Sequence, residues 1–560
     1  MKADHTAKQL FLLVILSYFC FMFGNSLISL TNLDEVFYAQ TAKEMIKFNS
    51  WMTPYAFGQP QFEKPILFYW LLKSVFMVFG VNSFVSRFFP ALFGMIGVVA
   101  VYFLGFWGFK DKDKAFTSAV ILMTSTLYLV LARTVFADLI FSVFILLALS
   151  SFYMGYSDKE RKGPGILCFF FFAGLAVLTK GPLGLLIPLA TVALFLFLRK
   201  EINFLFSRYI LWGLLLFSLT ALPWYFLMFK LYGNAFSGEF FYNDHFRRFF
   251  EAEHIGNDTW YFYLFSIIGG IFPWSLFLIC ALFLLPKWLS QKTNPFYAFL
   301  ASWVFVTLAI FQSAHSKSVS YILPLLPAAA LITGGFIAGE FENDKLSRLF
   351  VFASWSSVFV VLLIPAFLSL ILAGYSEFLG LYLPIKAVAY LFIPVFLCLG
   401  IAAFIFVLSQ KKRMSFYCFA LVLPLFLVIV PFASRNIEPY LSAQSSCRYL
   451  LDNFEVNNTL LVSKPFLRGV KYYTDKEVAV IDILGKPFFS ARPILFLDTD
   501  ESTRGFLRAQ GTTYCLLKKS SLEDMLGLIR DEFTYSILGI KGNVYIVRVS
   551  PAAQPGSKNK

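Results

Sequence analysis

Residues 65–80 read PILFYWLLKSVFMVFG, and the placement of this stretch decides the topology of the whole chain. It is apolar, but it opens on Pro65, carries Lys73 in its middle and is shorter than the about 20 apolar residues that cross a bilayer. It therefore reads either as a span or as a helix lying in the interface. Around it lie thirteen other apolar runs, near 9–30, 88–108, 115–132, 138–154, 164–179, 182–198, 209–229, 261–285, 295–312, 321–338, 349–373, 384–408 and 415–432. Six basic clusters punctuate them: Lys110/Lys112/Lys114, Lys159/Arg161/Lys162, Arg199/Lys200/Arg208, Lys287/Lys292, Lys345/Arg348 and Lys411/Lys412/Arg413. If 65–80 is interfacial, every cluster falls on the side of the N-terminus. If it crosses, all six move to the opposite side, against the positive-inside bias. The interfacial reading is preferred: N-terminus inside, about thirteen transmembrane helices, C-terminus outside.

Composition supports a chain that meets mostly lipid. Of 560 residues, 58% are hydrophobic and only 14% charged, with 71 phenylalanines, against roughly 25% charge in ordinary soluble domains. The net charge of +14 belongs to basic loops facing anionic lipid. No basic stripe with interleaved aromatics suggests nucleic acid. The first apolar run exceeds the roughly 7–15 residues of a signal-peptide core and is followed by no small-residue cleavage site, so it reads as an uncleaved span.

This topology leaves two large outer loops, about 31–87, with its interfacial helices, and 230–260. Short outer turns lie near 133–138, 180–181, 313–320 and 374–383. Residues 1–432 form the membrane domain. From 433 to 550 short β-rich runs (TLLVSK, VAVID, PILFLD, YCLLKK, NVYIVRV) alternate with helical patterns, which predicts an outer α/β domain; 551–560 read as a disordered tail. Seven cysteines without a CxxC pair exclude a cysteine-based metal cluster. Cys447 and Cys515 fall in the outer domain, where a disulfide and two separate buried thiols are both open.

Ionisable residues beside span ends are expensive and point to function. The outer face gathers Asp34 and Glu35 (SLTNLDEVFYAQTAKEM), Glu63 and Lys64 (QPQFEKPILFYW), Arg133 and Asp138 (LARTVFADLIF), Lys180 (LTKGPLG), His254 and Lys317 (SAHSKSVSYILPLLP). Each has a plain alternative. Asp34 and Asp138 could cap helices, Lys64 and Lys180 could anchor at the interface, His254 could be a solvated loop residue, and Arg247 and Arg248 could contact headgroups. Taken together, cations able to hold a phosphate and carboxylates able to take a proton from a hydroxyl suit an anionic, lipid-linked substrate.

The ordered motifs LDEVFYAQTAKEM, FEKPILFYW, FVSRFFPALFG, ARTVFADLIF, VLTKGPLGLLIP and HSKSVSYILPLLP, over roughly residues 9–340, resemble the aminoarabinose transferase branch of the dolichyl-phosphate-mannose protein mannosyltransferase family. That resemblance implies the GT-C fold and a polyprenyl-phosphate-linked sugar as donor. It also implies inverting transfer on the periplasmic face of a bacterial inner membrane, to a lipid A phosphate or to another glycan or protein. Carried onto this sequence, it implies Asp34 and Asp138 at the catalytic centre and Lys64 on the lipid phosphate. It implies Tyr38 and Tyr321 along the donor cavity, and Glu63 with a histidine, best matched by His254, as a divalent metal pair of the zinc kind. The chain departs from the family at Phe37, where many members carry the arginine of D-E-x-R-Y, and at Gln61, where an aromatic often stands. Lys180, Arg133 or Lys317 could supply the missing charge.

In that reading the leaving polyprenyl phosphate is already acidic, and Lys64 with a neighbouring cation stabilises it. Asp34 is the base for a hydroxyl acceptor; for a phosphate acceptor it positions or stabilises charge. A nucleotide-sugar enzyme is not expected, since the chain has neither a Gly-rich phosphate cradle nor a large cytoplasmic domain. The competing class is a transporter or flippase of a lipid-linked sugar, which often shows two matching halves; none is visible here.

Overall fold

A computed structural model describes residues 2–32, 34–251, 257–290, 294–343, 347–370, 385–482, 494–529 and 532–552. The outer turn at 374–383, His254 and residues 553–560 of the tail lie outside the described residues. All thirteen apolar runs fold as helices. Among the described residues, seven helices are individually long and apolar enough to cross a bilayer: Phe88–Phe109, Ala137–Ser157, Lys159–Lys180, Arg208–Tyr232, Phe296–Ser313, Val319–Glu342 and Arg348–Phe367. Two bent pairs raise the number to as many as nine.

The bends have a local cause. Lys112–Met123 and Thr126–Ala132 meet at 65°, where the Thr124 and Ser125 hydroxyls bond back to the carbonyls of Val120 and Ile121 and compete with the helix. Phe262–Gly270 and Ser275–Ser290 meet at 115°. The two breaks dock on each other: Trp274 Nε1 donates to Thr124 Oγ1 at 3.0 Å, and the Thr126 hydroxyl donates to the Phe272 carbonyl at 3.1 Å. Small residues allow close helix approach elsewhere. A Cβ on Gly97 would meet the Tyr128 hydroxyl at 2.0 Å, and one on Gly334 would meet Ser118 Oγ at 2.1 Å.

The deciding stretch forms the helix Leu67–Phe79, 13 residues long and below spanning length. Lys73 is buried and donates to the carbonyls of Met45 and Ser50, with Nζ 4.2 Å from the centre of the Trp51 ring. The helix is thereby tied to the end of a second loop helix, Asp34–Lys47. Between them a short hairpin, β1 (Tyr55–Ala56) and β2 (Gln59–Pro60), turns at Gly58 with φ +77°. Glu44 accepts from the N–H groups of Phe57 and Gly58 and fixes that turn.

The ends of the bundle differ in chemistry. At one end Gln9, Asp113 and Arg413 meet, with Arg413 2.8 Å from Asp113, and Lys412 donates to the Glu340 carbonyl. The N-terminal helix Lys2–Phe21 thus starts beside two of the basic turns. At the other end Leu30 and Asn32 meet the C-terminal region. The helix Lys412–Leu441 runs unbroken from the basic end into that region, past the boundary expected at 432/433.

The C-terminal domain is an α/β layer structure. Strands β3 (Leu460–Ser463), β4 (Val478–Ile481), β5 (Leu495–Phe496), β6 (Thr513–Leu517), β7 (Phe533–Lys541) and β8 (Val544–Pro551) form one sheet in the order β5-β4-β3-β6-β8-β7. The β3–β4, β4–β5 and β3–β6 pairs are parallel; β6–β8 and β7–β8 are antiparallel. Alternate residues face opposite layers. Leu460, Val462, Val478, Val480 and Leu516 pack with Cys447, Leu450 and Val470, while Leu461, Ala479, Cys515 and Leu517 pack with Leu507, Leu522 and Met525. Cys447 and Cys515 are therefore free thiols in separate cores on opposite faces, and burial raises both thiol pKa values.

Candidate active site

The loop helix Asp34–Lys47 begins with two acids of opposite fate. Glu35 is buried and bonded on both oxygens: Arg87 Nε and Nη2 lie 2.8 and 2.7 Å away, and the N–H groups of Thr31 and Val135 donate as well. Burial would raise its carboxyl pKa, but the Arg87 and backbone hydrogen bonds outweigh it and hold the carboxyl below the usual range. The remaining Arg87 donors reach the carbonyls of Asn25, Ile28 and Ser29, so this arginine of the SRFFP motif fixes the entry to the loop helix. Glu35 is scaffold. Asp34, one residue earlier, keeps 55% of its side chain exposed and lies 3.6 Å from Arg468.

Asp34 shares its surroundings with the other expected acids. Partial desolvation raises its carboxyl pKa, Arg468 and Lys64 lower it, and Asp138 and Glu63 raise it further; the net shift is upward. Tyr38, one turn on, is fully enclosed, its ring centre 5.1 Å from that of Phe68 and 6.1 Å from that of Phe136. Burial and the nearby Asp138 carboxylate push its phenol well above the usual value, so it stays neutral. Asp138, at the start of Ala137–Ser157, makes an ion pair with Lys180, whose Nζ sits 4.2 Å over the Tyr321 ring.

Lys64 lies in a bend just before Pro65 and reaches Asp244 at 2.8 Å. Arg248, one helical turn beyond Asp244, approaches the same carboxylate at 3.2 Å. Burial alone would lower the Lys64 pKa, but Asp244 outweighs it and the net shift is upward, so Lys64 is a cation near neutrality. These groups line a cavity of about 440 Å³, together with Lys180 and Tyr321 and with the apolar Leu183, Leu186, Phe249, Ile310 and Phe311.

Most of the residues singled out from the sequence thus converge: Asp34, Glu63, Lys64 and Asp138 within electrostatic reach, and Lys64, Lys180 and Tyr321 on the cavity wall. Two do not line it. Arg133 donates to the Cys20 carbonyl at the end of the first helix. Lys317 is buried and held by the Thr259 carbonyl and by Asp258, which also bonds His315 at 2.6 Å. Asp244 and Arg468 carry no sequence motif of their own; the only hint of the former is its i,i+4 spacing to Arg248. Among the described residues no three His, Cys, Asp or Glu groups gather as metal ligands. Of the expected metal pair, Glu63 lies beside Lys64 in the first outer loop, and His254 is outside the described residues. Two D-x-D spacings are structural: Asp111 caps a helix by accepting from Asp113 and Lys114, and Asp498–Asp500 leads into a helix capped by Thr499.

Comparison with known proteins places this geometry. Residues 63–226 match the model of the dolichyl-phosphate-mannose-protein mannosyltransferase family. An uncharacterized protein of Aquifex aeolicus is 30% identical over 446 residues, 80% of this chain and 82% of its own. The undecaprenyl phosphate-α-4-amino-4-deoxy-L-arabinose arabinosyl transferase of Enterobacter sp. is 28% identical over 304 residues, 53% of this chain and 54% of that enzyme. The match to this named transferase therefore spans about half its length. The crystal structure of ArnT from Cupriavidus metallidurans bound to undecaprenyl phosphate superposes with a TM-score of 0.76 at 16% identity, covering 96% of this chain and 97% of that one. At that identity the likeness establishes the GT-C fold, and the carrier reading finds no support. The chain belongs to the dolichyl-phosphate-mannose-protein mannosyltransferase family, as an aminoarabinose-transferase-like membrane glycosyltransferase of the GT-C fold.

Proposed function

We propose that the enzyme moves a sugar from a polyprenyl-phosphate donor to an acceptor at the outer, periplasmic face of a bacterial inner membrane, with lipid A or another surface glycan or protein as acceptor. The carrying observation is the cavity: cations Lys64, Arg248 and Lys180 stand in a wall that is otherwise mostly aliphatic and aromatic, a lining that suits a phosphate joined to a prenyl chain. In this reading the thirteen helical runs are spans, the basic end faces the cytoplasm, and the C-terminal domain lies outside.

The step is a displacement at the anomeric carbon. The bond from that carbon to the phosphate oxygen breaks, and its electron pair leaves with the polyprenyl phosphate, whose growing charge Lys64 and Arg248 stabilise. A bond to the acceptor oxygen forms on the opposite face, which inverts the centre. A hydroxyl acceptor gives its proton to Asp34; an acceptor phosphate is already ionised, and Asp34 then orients it or faces the positive charge developing on the sugar. Asp138, whose partner Lys180 lines the cavity, supports the sugar.

Mass spectrometry of lipid A from cells lacking the gene tests the reading, with complementation by wild type and by Asp34→Asn. A pentosamine-sized addition that returns with wild type alone supports donor class, acceptor and Asp34 together. Unchanged lipid A removes the lipid A acceptor and directs the search to periplasmic proteins and surface glycans.

A further inference from the structure

The loop helix carries Phe37 three residues after Asp34, the position from which a cation on the same helix face would reach that carboxylate. A cation is present, but it comes from elsewhere in the chain. Arg468 extends from the helix Leu467–Thr474 of the C-terminal domain, its guanidinium 4.5 Å over the Phe37 ring and 3.6 Å from Asp34 Oδ1. The aromatic face holds the planar group and aims it at the acid.

The approach is fixed on both sides. Lys43 pairs with Asp475 at 2.7 Å and donates to the Tyr472 carbonyl; the Tyr473 hydroxyl donates to the Leu30 carbonyl at 2.9 Å. Gly469, next to Arg468, lies so close to the loop that a Cβ there would meet Asn32 Oδ1 at 2.2 Å. The same Asn32 oxygen accepts from the Ala443 N–H.

We propose that Arg468 is the positioning residue for the Asp34 carboxylate, so that the C-terminal domain completes the active site formed by the membrane domain. This rests on the reading of Asp34 as the reacting carboxylate. The groups facing Asp34 are Arg468 from the C-terminal domain, Asp138 from the helix Ala137–Ser157, and Glu63 and Lys64 from the loop. Of the two cations, Arg468 acts more strongly on it. Without Arg468, the weaker influence of Lys64 is left against the two acids, and the carboxylate takes up its proton at higher pH.

The test uses the full-length enzyme in detergent or nanodiscs, with transfer rate followed across pH. Arg468→Gln is expected to lower kcat by about tenfold and to move the acid limb of the rate profile to higher pH, while Arg468→Lys, which keeps the charge, recovers part of both. A wild-type rate and limb in Arg468→Gln would overturn the proposal. So would equal losses in Arg468→Gln and Arg468→Lys with an unmoved limb, which is the pattern of a mere docking contact. Asp34→Asn, measured alongside, separates the two readings. Full activity there removes Asp34 as the reacting carboxylate; loss there with Arg468→Gln unchanged removes only the arginine's part.

Discussion

Glu35 and Arg87 form a buried two-pronged pair, 2.7 and 2.8 Å between nitrogen and oxygen, one residue away from the half-exposed Asp34. Two adjacent acids are thereby separated into one that holds the loop and one that is open to substrate. Removing one partner of such a pair leaves an uncompensated buried charge, at a cost of about 3–5 kcal/mol. Arg87→Ala should therefore lower the thermal unfolding temperature of the purified protein sharply, and Glu35→Gln should do so less, because Arg87 keeps its bonds to the carbonyls of Asn25, Ile28 and Ser29. The Glu35 carboxyl lies below its ordinary value in the folded protein. Its contribution is thus present above the unfolded pKa of about 4.3 and is lost as pH falls through the folded value. Unfolding followed from pH 7 down to 3 would show the wild type losing this term and Glu35→Gln lacking it.

Asp34 has the opposite shift. Its carboxyl pKa is raised, and the role proposed for it needs the ionised form, so activity should begin to fall on the acid side at a pH above the ordinary aspartate value near 3.9. A rate profile against pH checks this. Asp34→Asn should reduce transfer to a hydroxyl acceptor by about 10²–10⁴-fold, the contribution of a positioned general base. With an ionised phosphate acceptor a measurable rate should survive.

Lys64 and Arg248 share one carboxylate, Asp244, at 2.8 and 3.2 Å. A donor phosphate competing for those cations must loosen that arrangement. Lys64→Ala should weaken binding of undecaprenyl phosphate by about tenfold or more, the loss of a charge-assisted contact. Asp244→Asn should tighten it, because two cations lose their internal counter-ion. Inhibition of transfer by added undecaprenyl phosphate reads both directions.

Cys447 and Cys515 occupy cores on opposite faces of the sheet. Non-reducing electrophoresis of denatured, alkylated protein should show two modifiable thiols in the C-terminal domain without prior reduction, and reductant should leave the unfolding temperature unchanged.

Much of this was legible in the sequence because lipid imposes a coarse rule: long apolar runs become helices, and each of the thirteen runs does. The helix at 67–79 was legible from length and from Lys73, whose burial the backbone carbonyls of Met45 and Ser50 then satisfy. Motif residues Lys64, Asp138, Lys180 and Tyr321 came together because each sits at a helix end on the same face. Arg468 could not be found this way. It is more than 400 positions from Asp34, in a run with no motif, and only the docking of the helix Leu467–Thr474 on the loop brings it near. Lys317 was singled out for its charge and its place in the HSKSVSYILPLLP motif, and the local Asp258 and Thr259 hold it. Bends in the membrane helices were invisible because Thr124 and Ser125 read as ordinary span residues until their hydroxyls turn back on the backbone.

The helix Lys412–Leu441 enters the C-terminal domain with no linker, although it contains Pro424, Pro431 and Pro439. An α-helix turns by about 100° per residue, so that domain's compass bearing is set by residue count. One residue added within 428–441 would swing the sheet and Arg468 by about a quarter turn, whereas an insertion in a flexible tether would do nothing. The length of this segment therefore acts as a gauge: it can drift in composition but not in number.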